Sequence, residues 1–303
     1  MTWISSLRKP AFVMCPPVYL SNKIKNNKWM EEDNSTINVG RALFQWNNLY
    51  ELMTTDAIVY LLAPNPNLQD QTFVNSFAVL AHQPDIAILS NFRANGRVGE
   101  EKEVAGLLIR LGFKVYQAPP YWEGWPELKH IHDNIYVAGY GERSTLKAQQ
   151  YLAKAFDYKI IPVKTSPYLY HLDCLFFKLS DEYAIVAVDD IPKEAVKAIS
   201  REIEILPADH NDAMQGICNS IRLRRIVINA SNVNELEGED KKIEIAKNEK
   251  LKQYAELAGM EVVFVNLSEF LKSGALASCL VAPLNYRHEE LSLIHISEPT
   301  RPY

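Results

Sequence analysis

Asn134-Ile-Tyr-Val-Ala-Gly-Tyr-Gly141, then Glu-Arg-Ser-Thr145-Leu-Lys-Ala-Gln-Gln-Tyr-Leu-Ala-Lys-Ala-Phe156, then Asp-Tyr-Lys159-Ile-Ile-Pro-Val163 read as strand, helix and strand. Aromatic and β-branched residues fill Asn134–Ala138, and Gly139 and Gly141 end it. The same order recurs on both sides. Arg41–Leu52, with Leu43, Phe44, Trp46, Leu49 and Leu52 at helical spacing, lies between the apolar runs Ala11–Cys15 and Ala57–Leu62. Gly99–Leu111 is an amphipathic helix ended by Gly112, placed after the strands Thr72–Ala81 and Ile86–Leu89 and before Lys114–Gln117. Later, Leu169–Leu179 and Tyr183–Val188 form an antiparallel pair, followed by a helix Lys193–Ser200 and a strand Glu202–Leu206. A short helix Asp209–Cys218 and a strand Ser220–Ala230 lead to the charged helix Glu237–Ala258 and the strand Glu261–Asn266. Helices therefore return roughly every 50–60 residues with two or three strands between them, the spacing of a structural repeat. No low-complexity linker divides the chain. The expectation is one α/β domain over residues 1–290, built from ββαβ-like units without sequence identity between them.

The composition is that of a folded protein: 303 residues, 48% hydrophobic and 23% charged. A net charge of −5 without a basic cluster argues against a nucleic-acid partner. No apolar run reaches membrane-spanning length, and the first ten residues carry their charges after the apolar stretch, unlike a signal peptide. Cys15, Cys174, Cys218 and Cys279 are scattered without a C-x-x-C pair, which suggests reduced thiols in a cytoplasmic protein and disfavours a zinc knuckle. Leu291–Tyr303 does not match the rest and resembles translated adapter sequence, so it is set aside.

Chemistry concentrates in two places. Ser268–Leu284 runs from a short amphipathic segment through Gly274 and several small residues to Cys279, which is expected to open an apolar strand. Alone, such a cysteine is more often a packing residue. Tyr170-His171-Leu172-Asp173-Cys174, if extended, places His171 and Asp173 on one face. A thiol, an imidazole and a carboxylate are the parts of covalent catalysis by cysteine.

Seven motifs then fall in order: Asp70-Gln-Thr-Phe-Val-Asn-Ser76; Phe92-Arg93 with Arg97-Val-Gly-Glu100; Trp122-Glu123-Gly; Gly139-Tyr-Gly-Glu-Arg143-Ser; Tyr170-His-Leu-Asp-Cys; Cys218-Asn-Ser; and Ser273-Gly-Ala-x3-Cys279. Together they resemble the guanidino-group-modifying superfamily of arginine deiminases, dimethylargininases, arginine dihydrolases and amidinotransferases, from about Phe12 to Asn285. The resemblance implies a five-bladed α/β propeller with pseudo-fivefold symmetry. It implies Cys279 as nucleophile, His171 as general acid and base, Glu123 as its acidic partner, and Asp173 on the substrate guanidinium. Asp70, Asn75 and Ser76 would line the site, and Arg93, Arg97 and Arg143 are candidates for the substrate carboxylate, because a planar fork fits one. It implies an arginine-like small-molecule substrate and no metal or organic cofactor. Two departures stand out: Ser76 replaces the acidic residue or Asn of many relatives, and Trp125-Pro126-Glu127 intervenes where an aspartate usually follows the Glu-Gly pair.

The reading is a cysteine hydrolase acting on the guanidinium carbon of arginine or methylated arginine. An amidinotransferase passing the group to an amine shares every catalytic part. A silent binding propeller has no need of all four residues. Each residue also has a plainer reading: His171 as a bonded structural histidine, Asp173 as a strand-edge charge, Arg93 and Arg97 as solvated loop residues, and Arg143 as a cap. His130 and His132 read as surface residues, and Cys15, Cys174 and Cys218 as packing thiols. Nothing in the sequence sets an oligomeric state or chooses among guanidino substrates. Residues 291–303 lie beyond the last motif and carry two prolines. Deleting them is expected to leave melting temperature and catalytic rate unchanged; a clear fall in either would show that a working element was set aside.

Overall fold

The computed structural model describes residues 2–290, so the expected tail lies outside the described residues. Within them the chain forms five three-stranded sheets. In four of them, two antiparallel strands are followed by a helix and a third strand parallel to the second. One blade joins Phe77–Val79, Ile86–Leu89 and Lys114–Gln117, with the helix Glu100–Arg110 between the last two. The next joins Leu128–His132, Ile135–Tyr140 and Lys159–Lys164 across the helix Leu146–Ala155. Phe176–Lys178, Tyr183–Ala187 and Glu204–Ala208 follow, with the helix Lys193–Ile199. Ile221–Leu223, Ile226–Ala230 and Glu261–Val265 enclose the helix Gly238–Leu257.

The fifth blade is assembled from both ends of the chain. Ala11–Met14 pairs in parallel with Ile58–Leu61 across the helix Val39–Thr54, and in antiparallel with Ala282–Pro283. The C-terminal strand thus takes the position that a preceding strand fills in the other four blades. This is the five-bladed α/β propeller that the resemblance implies, built from the ββαβ-like units expected from the repeats.

Alternation along the central strands couples neighbouring blades, because successive strand residues face opposite sides of a sheet. Val137 packs in one apolar cluster with Val163 of its own blade and with Leu172 and Phe176, which lead into and begin the following one. Its neighbours Tyr136 and Ala138 pack with Leu152 and with Ile88 and Trp122 of the preceding one. Central strands buried on both faces explain the uninterrupted apolar runs in the sequence.

Several elements differ from the sequence expectation, and the differences gather near the ring centre. Thr72–Ala81 is a strand only from Phe77; the residues before it turn sharply, with Phe73 N–H donating to Asp70 O at 2.9 Å and Asn75 N–H to Phe73 O at 2.7 Å. Leu172–Cys174 is a single 3-10 turn, so His171 and Asp173 do not share a strand face. Ser278–Leu280 is likewise a 3-10 turn, and the strand begins after Cys279, at Ala282. Ser220–Ala230 is a hairpin with Arg224 at φ +56° in its turn. His130 is not a free surface residue: it packs against Tyr136 and Tyr286, with ring centroids 5.1 and 5.5 Å apart.

The charged helix Gly238–Leu257 carries Ile243, Ile245, Leu251, Tyr254 and Leu257 at a spacing that predicts one apolar side, yet of these five only Leu251 is buried. Ile245 and Leu257 are exposed, whereas Glu244, Lys247 and Asn248 are buried. Lys247 Nζ donates to Asn229 Oδ1 at 2.9 Å and Ala230 O at 2.8 Å, and lies 3.0 Å from Glu244 Oε1. Its aliphatic stem crosses the core while its ammonium closes the end of a strand. Replacing Lys247 by methionine would leave Glu244 and two acceptors buried without a donor, and is expected to cost about 3–5 kcal/mol of unfolding free energy. A urea-denaturation difference under about 1 kcal/mol, the value of a surface pair, would contradict this.

Candidate active site

Cys279, His171, Asp70, Asn75, Arg97 and Arg143 line one cavity of about 280 Å³ at the ring centre. Each arrives on a turn between strands rather than on a strand. Asp70 and Asn75 come from the turn before Phe77, and Cys279 from the turn before the closing strand. Gly274 has φ +68°, where glycine is favoured, and a Cβ there would lie 2.7–2.9 Å from the Trp29 side chain. That close approach brings Ser273 and Ala275 against the segment Asn26–Met30, which forms another wall.

Glu123 is fully buried and stands behind His171, whose Nε2 is 2.9 Å from Glu123 Oε2. Arg143 Nη1 donates to the same carboxylate at 3.2 Å. Gly124 fixes the turn: at φ +48° its backbone passes so close to Asn75 O and Phe77 O that a Cβ would lie 2.5 and 2.7 Å from them. Burial pushes the Glu123 carboxyl up, but Arg143, His171 and Arg97 outweigh it and hold the group well below the usual carboxylate range. Burial pushes His171 down, against the opposing pull of Glu123, so the imidazole is held towards its neutral form.

The thiol sits in a different setting. Asn219 Nδ2 donates to Cys279 Sγ at 3.4 Å, and Asn219 Oδ1 accepts from Ser278 N–H at 2.9 Å. Asp173 Oδ2 lies 3.9 Å from Sγ and accepts from Ser278 Oγ. Burial and the Asp173 charge push the Cys279 thiol up to about 12, against the Asn219 hydrogen bond. With these neighbours the thiol is neutral. A cation placed beside Sγ would offset both effects and favour the thiolate.

The remaining sequence candidates divide. Arg97 lines the cavity, but its fork is engaged by Glu100, at 2.7 and 3.1 Å, and by Phe73 O at 2.6 Å. Arg143 spends its second nitrogen on Asn26 O at 2.9 Å and stacks over Tyr170 at 4.7 Å. Neither presents a free fork to a carboxylate. Arg93 is exposed, with only long contacts to Gly141 O and Glu142 O, and does not line the cavity. Ser76 is buried outside the cavity wall and bonds through its carbonyl to Ser90 N–H. Asp173 touches the thiol from behind rather than from the cavity.

Asn219 and Ser278 had no assigned role in the sequence reading, although Asn219 stands in Cys218-Asn-Ser. Glu127 is fully buried; burial, reinforced by Glu123 and Asp173, pushes its carboxyl well up, so it is a neutral acid. Among the described residues no His, Cys, Asp and Glu group could hold a metal ion, and no helix is long and apolar enough to cross a membrane. Because the Glu123 charge raises His171, Glu123→Gln is expected to lower the His171 titration midpoint further, read by NMR of the ring Cε1–H. An unchanged or raised midpoint would show that the two are not coupled.

A family model described as N,N dimethylarginine dimethylhydrolase, eukaryotic, matches residues 16–286. The chain is 31% identical over 280 residues to the bifunctional arginine dihydrolase/ornithine cyclodeaminase AgrE of Nostoc sp., covering 89% of this chain and 37% of that protein. It thus spans little more than a third of that relative. The solved N-terminal domain of the cyanobacterial arginine dihydrolase ArgZ, as a cysteine-to-serine variant bound to substrate, superposes with a TM-score of 0.80 at 27% identity, covering 91% of this chain and 98% of that one. An asparagine-to-serine variant of the same domain, covalently bonded to a reaction intermediate, superposes with a TM-score of 0.80 at 28% identity and covers 91% and 98%. By the extent of these matches, the chain belongs to the N,N-dimethylarginine dimethylhydrolase family, within the guanidino-group-modifying superfamily that its motifs resemble.

Proposed function

We propose that the protein is an arginine hydrolase that works through a covalent intermediate on Cys279. One observation carries this reading: Asp70 Oδ1 and Asn75 Oδ1, in the wall of the Cys279 cavity, are buried acceptors without a hydrogen-bond donor. Buried acceptors are costly unless paired, by about 1–3 kcal/mol each, and a guanidinium brings five N–H donors on a planar cation. The charges agree. The lining cations Arg97 and Arg143 are paired with Glu100 and Glu123, while Asp70 and Asp173 have no ion pair within 4 Å among the described residues. These acceptors suit a cation.

The chemistry follows from the geometry. The bound guanidinium lowers the Cys279 thiol towards its thiolate, which adds to the guanidinium carbon. His171, neutral and steered by Glu123, takes the thiol proton and delivers it to the departing amine. Water then adds to the amidino carbon of the intermediate, with His171 as base. Carried through a second hydrolysis, one arginine and two waters give ornithine, two ammonia and carbon dioxide. The ArgZ domain, described as an arginine dihydrolase, is matched over nearly its whole length, which supports this outcome; the ornithine cyclodeaminase part of the relatives is not proposed here. Arginine is preferred to its dimethylated form because each methyl group replaces a donor that Asp70 and Asn75 would otherwise accept, and a site built for N–H groups rejects analogues that lack them.

Two results are expected. Cys279→Ser should fall below roughly a hundredth of the native rate, beyond the loss of an auxiliary group, while keeping its melting temperature. Arginine labelled at the guanidinium carbon should give labelled carbon dioxide and unlabelled ornithine without any added amine, faster than monomethylarginine or dimethylarginine. Label appearing in added glycine would make the protein an amidinotransferase, and no turnover of any of the three would leave it a binding propeller.

A further inference from the structure

A second cavity, of about 550 Å³, lies back to back with the first. Asp173 and Ser278 belong to its wall, while Cys279 faces the other side. Its remaining wall mixes aromatic and aliphatic surface, Trp125, Phe176 and Val281 among it, with charged groups. The reaction derived above uses none of this space.

Lys129 is the informative side chain. It is 8% exposed and lines the cavity. Its ammonium rests over the Trp125 ring, 3.6 Å from the centroid, yet it makes no hydrogen bond and no ion pair within 4 Å with any described residue. An ammonium on a side chain this enclosed, opening onto a cavity with no protein acceptor, is uncommon. Arg222 is a second case: it is 4% exposed and lines the same wall, and its Nη1 has no acceptor. The third cation, Lys178, is already bonded to Glu289 at 2.7 Å. Burial holds the lining imidazoles of His130 and His288 down, and therefore neutral. Asp173, Asp181 and Glu289 match the three cations in number, but none of them lies within 4 Å of the Lys129 ammonium.

We propose that this cavity is a second ligand site, separate from the Cys279 cavity, and that it takes a small organic monocarboxylate: the carboxylate on the unpaired Lys129 ammonium, the hydrocarbon body against Trp125 and the apolar wall. A dianion such as phosphate fits less well, because a second negative charge would meet Asp173 and Glu289. A neutral amide offers no charge to Lys129. The proposal does not depend on arginine being the substrate, since Lys129, Trp125 and Arg222, which carry it, do not line the Cys279 cavity.

The test uses benzoate, with benzamide, benzylamine and inorganic phosphate as controls, in calorimetry and thermal shift on the full chain. Crystals soaked in 4-bromobenzoate give the location independently of any variant. Benzoate is expected to bind and stabilise, and the three controls to bind more weakly or not at all. Lys129→Met should weaken benzoate about tenfold or more, the loss of one charge-assisted bond, and the bromine peak should lie beside Lys129. A bromine peak only in the Cys279 cavity, equal benzoate affinity in Lys129→Met, or no benzoate binding at millimolar concentration would overturn the proposal. If Lys129→Met fails to fold, the bromine position in the native protein still decides.

Discussion

A carboxylate stays ionised at zero exposure only if cations surround it, and the centre of this molecule is arranged around keeping Glu123 in that state. Arg143 does so directly, and the neutral His171 adds a hydrogen bond from its ring nitrogen. The arrangement then spreads outward. Arg143 also holds Asn26 O, and Asn26 Nδ2 donates to Asp70 at 2.6 Å, so one chain of contacts runs from the histidine's partner, through the segment over the cavity, to the acceptor on its far wall. Removing any one member strands the others in a place where an unpaired polar group costs about 1–3 kcal/mol and an unpaired charge more. The guanidiniums in this network are therefore structural cations. They answer the fixed carboxylates Glu100 and Glu123.

The fold makes this possible because each blade delivers a turn, not a strand, to the centre. Turns bring side chains together from residues far apart in the chain: Asp70, Glu123, His171, Asn219 and Cys279 each precede or follow a different pair of strands. Cys279 has a further dependence. It lies three residues before Ala282, where the C-terminal strand docks on Phe12 and Val13 to complete the fifth blade. The position of the thiol thus rests on the joining of the two ends of the chain, which links the nucleophile to the cooperativity of the whole ring.

That the chain repeats a helix among two or three strands is legible in the sequence, since apolar strands and amphipathic helices leave periodic marks. Lys114–Gln117 and Ile86–Leu89 fall where the residues place them. The turns at the centre are not legible in the same way. Leu172–Cys174 and Ser278–Leu280 contain residues that suit a strand, and only tertiary hydrogen bonds, such as Asn219 to Ser278, select the turn. The helix Gly238–Leu257 shows the complementary failure. Its isoleucines suggest a buried face, but the long stem of Lys247 and its three oxygen partners occupy the interior instead. For the site, the motifs locate Cys279, His171 and Glu123, whereas pairing decides the arginines. Arg97 and Arg143 look free in sequence because the carboxylates that engage them, Glu100 and Glu123, carry no mark of that role.

The account rests on one event, the formation of a bond between Cys279 and the guanidinium carbon. Acid quenching of the enzyme during turnover of arginine, followed by peptide mass spectrometry, observes that event without reference to products. The predicted result is a transient amidino-type adduct on the peptide carrying Cys279, absent when arginine is omitted. Steady turnover with no adduct at any quench time, or an adduct on Cys15, Cys174 or Cys218 instead, would contradict it.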